Sequence, residues 1–153
     1  MDLKQLVTKK PFYISERKEF ISCDLRPNWR ISLLLLILRL VGRGSKASRN
    51  KIHIVNWALK NEEHAQSYLA YIENGQGKRP FINLDPTMDK AIDYALYSKL
   101  LSIENNRVSL TEDGIKIANK LKKADVFNSE KRVLEKLKQA LTEDKVKKAL
   151  EGK

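Results

Sequence analysis

Apolar positions in this chain recur mostly at helical spacing, and the polar and turn-forming stretches between them divide it into a succession of short helices. After a segment containing Pro11, the dipeptide Arg26-Pro27 marks a break. Trp29 to Val41 reads as a helix that is apolar nearly all round, which belongs at the centre of a domain. GRGSKAS follows as a loop, and Ser45 or Ser48 is placed to cap a second helix in which Ile52, Val55 and Leu59 recur beside Trp57. Asn61 caps a third helix, with Ala65, Tyr68, Leu69 and Ile72 on one face and Gly75 where a left-handed residue stops it. The loop GQGKRPFINLDP leads to a fourth helix that begins at Thr87, turns Met88, Ala91, Ile92, Ala95 and Leu96 inward, and ends near Leu101.

The period then changes. Short alternating runs around Ile103 and from Val108 to Leu110 flank Asn105-Asn106, residue types that tolerate the positive φ of a tight turn, and this predicts a two-stranded hairpin. Thr111 caps a fifth helix with Ile115, Ala118 and Leu121 inward, and Asp125 to Asn128 separates it from one or two C-terminal helices. Three helices, a hairpin directly after a helix, and a further helix are the layout of a winged helix. A plain helical bundle with a loop at 101 to 111 is the rival. The expected fold class is therefore mainly α: an N-terminal arm over 1–25, a winged-helix domain of helices plus a two-stranded hairpin over 26–125, and a C-terminal helical extension over 126–153.

Length and composition agree with one folded domain: 153 residues, 42% hydrophobic and 32% charged. The longest wholly apolar run, Leu33 to Leu38, is bounded by Arg30 and Arg39 and falls far short of the roughly 20 residues that cross a bilayer. No apolar stretch near the N-terminus reads as a secretory signal, so export is not expected. A single cysteine, Cys23, rules out an intramolecular disulfide within this sequence, and a reducing, cytoplasmic address is the expectation.

Charge changes the picture more. The formal net charge is +11, which favours an acidic partner. Residues 1 to 60 hold 13 basic and 4 acidic side chains, a net of +9; residues 61 to 111 hold 5 and 7, a net of −2; residues 112 to 153 hold 12 and 8, a net of +4. Within the first segment Arg39, Arg43, Lys46, Arg49 and Lys51 fall close together with no acid among them, and with Arg107 of the hairpin they are the candidate DNA- or phosphate-binding residues. The helix that a winged helix would lay in a major groove instead carries Asp89 and Asp93, which opposes an approach to phosphates.

Catalytic constellations are not found in the sequence. GRGSK and NGQGKR lack the spacing and the Ser or Thr of a Walker loop. His53 and His64 lie on different expected helices outside any chelating pattern, and each reads as a satisfied or exposed helix residue. Cys23 beside Asp24 is a poor nucleophile. Asp85, Asp89 and Asp93 are the one set a metal-dependent nuclease could use, but Asp85 precedes Pro86 at a helix start and Asp89 suits the helix dipole. A non-enzyme with no metal, no cofactor and no small-molecule substrate is expected.

RPNWRISLLLLILRLVGRGSKASRNKIHIVNWAL, followed by PTMDKAIDYALYSKLLSIENNRVSLTEDGIKIANKL, resembles the middle component of bacterial ABC three-component defence systems, such as the small subunit of Lamassu-type complexes. The resemblance spans about residues 26 to 121 and rests on the order of apolar helices, Trp57 to Leu59, and the Leu-Thr-x-x-Gly turn at Leu110 to Gly114. It implies a small winged-helix subunit, similar in role to the winged-helix accessory subunits of SMC complexes. Such a subunit binds an SMC- or Rad50-like ATPase and an effector nuclease, reaches double-stranded DNA through the complex, and serves antiphage or antiplasmid defence. Those accessory subunits carry paired winged helices, whereas this chain has length for one, so their dimer geometry does not transfer.

Two amphipathic stripes give a partner reading its own physical motive: Leu134, Leu137 and Leu141, then Val146 and Leu150. Packing on the chain's own core explains them equally. Phe12, Tyr13, Ile14, Phe20 and Ile21 in the arm are open to the same two readings. The alternative function is a free-standing winged-helix transcriptional regulator.

Overall fold

The computed structural model describes residues 26–152 apart from Gln76. The expected N-terminal arm, with its apolar residues and Cys23, lies outside the described residues.

Helix α1 (Pro27–Val41) starts with a proline in its first turn, where a missing N–H breaks no helical bond. Its all-round apolarity has a direct cause, because it divides two cores. Leu33, Leu36, Ile37, Leu40 and Val41 enter one cluster, while Leu34, Leu35 and Leu38 enter the other. The first cluster is closed by helices α2 (Arg49–Leu59) and α3 (Glu62–Glu73). The second is closed by α4 (Pro86–Tyr97), a small sheet and Ala118 of α5 (Glu112–Lys123). Ser48, Asn61 and Thr111 cap α2, α3 and α5, each accepting a backbone N–H three residues on.

The fold is mainly helical with a small antiparallel sheet, a winged-helix-like arrangement. The expected hairpin is present as β2 (Leu101–Glu104) and β3 (Arg107–Leu110), with Ile103 opposite Val108 and Glu104 opposite Arg107. Asn105 and Asn106 both take positive φ, 48° and 60°, in the turn. The sheet nevertheless has three strands rather than two. β1 (Lys46–Ala47), inside the segment expected to be a loop, pairs with β3, so that β3 is central. Gly44 and Ser45, at φ 61° and 59°, reverse the chain there, and the Leu110 N–H donates to the Ser45 carbonyl at 3.1 Å. Two residues are too few to show a period in sequence.

Helix α4 stops at Tyr97, short of the expected Leu101. Lys99 turns left-handed at φ 59°, and the Leu100 N–H reaches back to the Ala95 carbonyl at 2.9 Å. The same corner explains the Leu-Thr-x-x-Gly turn. The Thr111 hydroxyl accepts from Gly114 N–H and donates to the Lys99 carbonyl at 2.7 Å, and a Cβ at Gly114 would collide with the Leu100 carbonyl.

Two C-terminal helices, α6 (Asn128–Leu137) and α7 (Glu143–Glu151), are joined by a 3₁₀ turn at Lys138–Ala140. They are not an appendage. Leu134, Leu137, Leu141 and Val146 are buried in the first cluster and Leu150 packs against it, while the buried Tyr68 hydroxyl donates to the Ala140 carbonyl at 2.8 Å. Of the five residues read as a partner-binding stripe, four are thus closed into the chain's own core and Leu150 is half-buried against it. The apolar sides of α1, α2 and α3 are what they cover. Among the described residues, no helix is long and apolar enough to cross a membrane.

Candidate functional site

The six candidate phosphate-binding cations do not form one basic face. Arg39 is half-buried and its Nε donates to Asn119 Oδ1 at 2.8 Å. Lys46 on β1 is ion-paired with Glu104 on β2, an edge-to-edge contact across the central strand. Arg49, in the first turn of α2, lies 3.3 Å from Asp89 and 3.8 Å from Asp93 on α4. Arg43 and Arg107 are exposed, with no ion pair among the described residues. Lys51 is only 5% exposed. Arg43, Lys51 and Arg107 do come together around one hollow, joined there by Lys138, which the sequence reading did not single out.

The three aspartates are each engaged. Asp85, half-buried at the start of α4, accepts the Thr87 N–H at 2.9 Å and the Thr87 hydroxyl at 2.6 Å through Oδ1. Its Oδ2 lies 3.1 Å from Arg30 Nη1 on α1 and 3.1 Å from Lys60 Nζ after α2. Burial opposes ionisation of this carboxyl, but the Thr87 hydrogen bonds, Lys60 and Arg30 together outweigh it and hold the group well below the usual carboxylate range. Asp89 meets Arg49 and, at 2.9 Å, Nε2 of the buried His53, whose Nδ1 has no hydrogen-bond partner. His64 stacks on Trp57 with centroids 4.2 Å apart, its Nδ1 donating to the Trp57 carbonyl at 2.8 Å. Among the described residues, no three His, Cys, Asp or Glu side chains are grouped to hold a metal ion.

Arg49 offsets part of the negative charge that Asp89 and Asp93 bring to α4. What that helix presents outward is Lys90, Asp93, Tyr94 and Tyr97. The two tyrosines are 59% and 89% exposed, neighbours at i and i+3 on one face. Sequence reasoning passed over them because an aromatic beside an apolar stripe reads as its edge. The available signal was that the stripe was already complete without them.

The chain matches no family model, and no match was found among characterised proteins or solved structures.

Proposed function

We propose that this chain is a non-catalytic, winged-helix-like subunit that acts by docking on a protein partner, the SMC-like ATPase of a cytoplasmic complex that senses foreign DNA and carries an effector nuclease. The partner's identity comes from the sequence resemblance. The docking mode is supported by one observation above the others, the bare Tyr94–Tyr97 face on the helix that a DNA-reading winged helix would insert into a groove. Tyrosine gives large contact area at low entropic cost and is enriched in protein interfaces. Phosphate contact is supported less well, since Lys46 and Arg49 already serve acids of the same chain. ATP hydrolysis and DNA cleavage belong to the partners in this reading, and the chain meets duplex DNA only within the assembly.

Expression of the tagged chain from its own locus is expected to bring down a large coiled-coil ATPase. Tyr94→Glu with Tyr97→Glu is expected to abolish that association while the melting temperature of the isolated chain stays unchanged. A chain that elutes alone or as a small dimer and protects one promoter sequence would favour the regulator reading, for which exposed Arg107 beside the hairpin turn supplies a phosphate contact.

A further inference from the structure

A second site stands apart from the α4 face and does not depend on the partner reading. Between the end of α1, the first turn of α2, the β3 strand and the start of α7 lies a hollow of about 600 Å³. Lys51 lines it, nine-tenths buried, and among the described residues its ammonium makes no hydrogen bond or ion pair. The side chain is buried along its stem while Nζ is not sealed from solvent, so the ammonium opens to the hollow, where a partly desolvated cation without a counter-ion favours an anion. The nearby Glu143 does not supply it at ion-pair distance, and its Oε1 accepts the Ser48 N–H at 3.1 Å.

The surroundings extend the same chemistry. Arg43, Arg107 and Lys138 also line the hollow, making four cations against the two carboxylates of Glu143 and Asp144. Helix α7 begins at its edge, and Thr142 caps it by accepting from Lys145 N–H. The first amides of a helix have no intrahelical acceptor, and their dipoles favour negative charge at this end. Burial lowers the Lys51 pKa from its ordinary value, with Arg107 adding to the effect and Glu143 opposing it. A bound dianion relieves that penalty directly.

We propose that this hollow binds a small phosphate-bearing molecule of nucleotide size, with its terminal phosphate on Lys51 at the α7 N-terminus and Arg43, Arg107 and Lys138 around it. The volume falls within the range of about 300–1,000 Å³ typical of small-ligand pockets. An ammonium at the wall of a hollow is met best by a group protruding on a stem. The phosphates of a duplex, which lie along a convex surface, fit the concave wall less well.

Calorimetric titration of the full chain with pyrophosphate and with ADP, at ionic strength matched by sodium chloride, tests this. Saturable one-to-one binding is expected, and Lys51→Met is expected to weaken it about ten- to a hundredfold, the range for losing a charge-assisted hydrogen bond. Arg43→Glu with Arg107→Glu, two exposed positions that cannot collapse the core, is expected to weaken it as well. No heat of binding at millimolar ligand, equal binding by Lys51→Met, or binding that chloride alone abolishes would overturn the site. Displacement of pyrophosphate by duplex DNA without terminal phosphates would overturn its assignment to a small molecule.

Discussion

Asp85 and Lys51 are both largely withdrawn from water, and the chain treats them in opposite ways. The Asp85 carboxylate ties α1, α2 and α4 together through Arg30, Lys60 and Thr87, and both of its oxygens are used. Lys51 sits in the first turn of α2 with no hydrogen bond or ion pair for its ammonium among the described residues. A charge whose partners come from three elements of the same chain is part of the fold's own wiring. A charge at the end of a buried stem, whose partners are missing from the fold, points outward to a ligand.

The largest effect expected from this contrast is at Asp85. Asp85→Ala removes the α4 cap and the inter-helix pairs together, and is expected to cost about 3–4 kcal/mol in denaturant unfolding. Acid titration gives the matching signature. Because the folded-state pKa lies below the ordinary 3.8, the Asp85 contribution is complete above that pH and is lost as pH falls below it. Asp85→Asn is expected to flatten that part of the stability profile.

Leu134→Ala supplies an apolar yardstick, because this fully buried side chain belongs to the first cluster. A cost of about 3 kcal/mol is expected by chemical denaturation. A loss below about 0.5 kcal/mol, the surface range, would return Leu134 to the partner-facing role that its burial argues against.

Lys51→Met is expected to reverse the sign and stabilise the ligand-free chain by about 1 kcal/mol in a melting experiment. The pH dependence sharpens the point. A lysine whose folded pKa is lowered imposes its full penalty below that value, and the penalty is relieved as pH rises from there toward the ordinary 10.5. Wild-type stability should therefore gain on Lys51→Met across this alkaline interval, and a constant difference would show that the ammonium is adequately solvated. Arg49→Ala is expected to change stability least, by about 0.5 kcal/mol or less, since its pairs with Asp89 and Asp93 are exposed.

Much of the fold was legible because its signals are local. Asn105-Asn106 marks the hairpin, Ser48, Asn61 and Thr111 mark helix starts through their own side-chain bonds, and Gly75, at φ 59°, marks the end of α3. The third strand was not legible, since Lys46–Ala47 is a strand only because β3 lies alongside it. The candidate sites divide the same way. The basic residues could be named, but not that Lys46 and Arg49 are matched by acids 58 and 40 residues away in sequence, or that Lys51 is enclosed.

What the sequence by itself determined is the order of elements, the central place of an α1 that is apolar nearly all round, and the basic balance of the chain. These follow from spacing, capping chemistry and charge counts, which need no knowledge of what lies opposite. Tertiary structure alone decided that the C-terminal stripes close the chain's own core, that Asp85 is satisfied, and that Lys51 faces a cavity with no hydrogen bond or ion pair for its ammonium among the described residues. Burial and pairing are relations between distant segments, and their energies are set by the groups brought within a few ångströms.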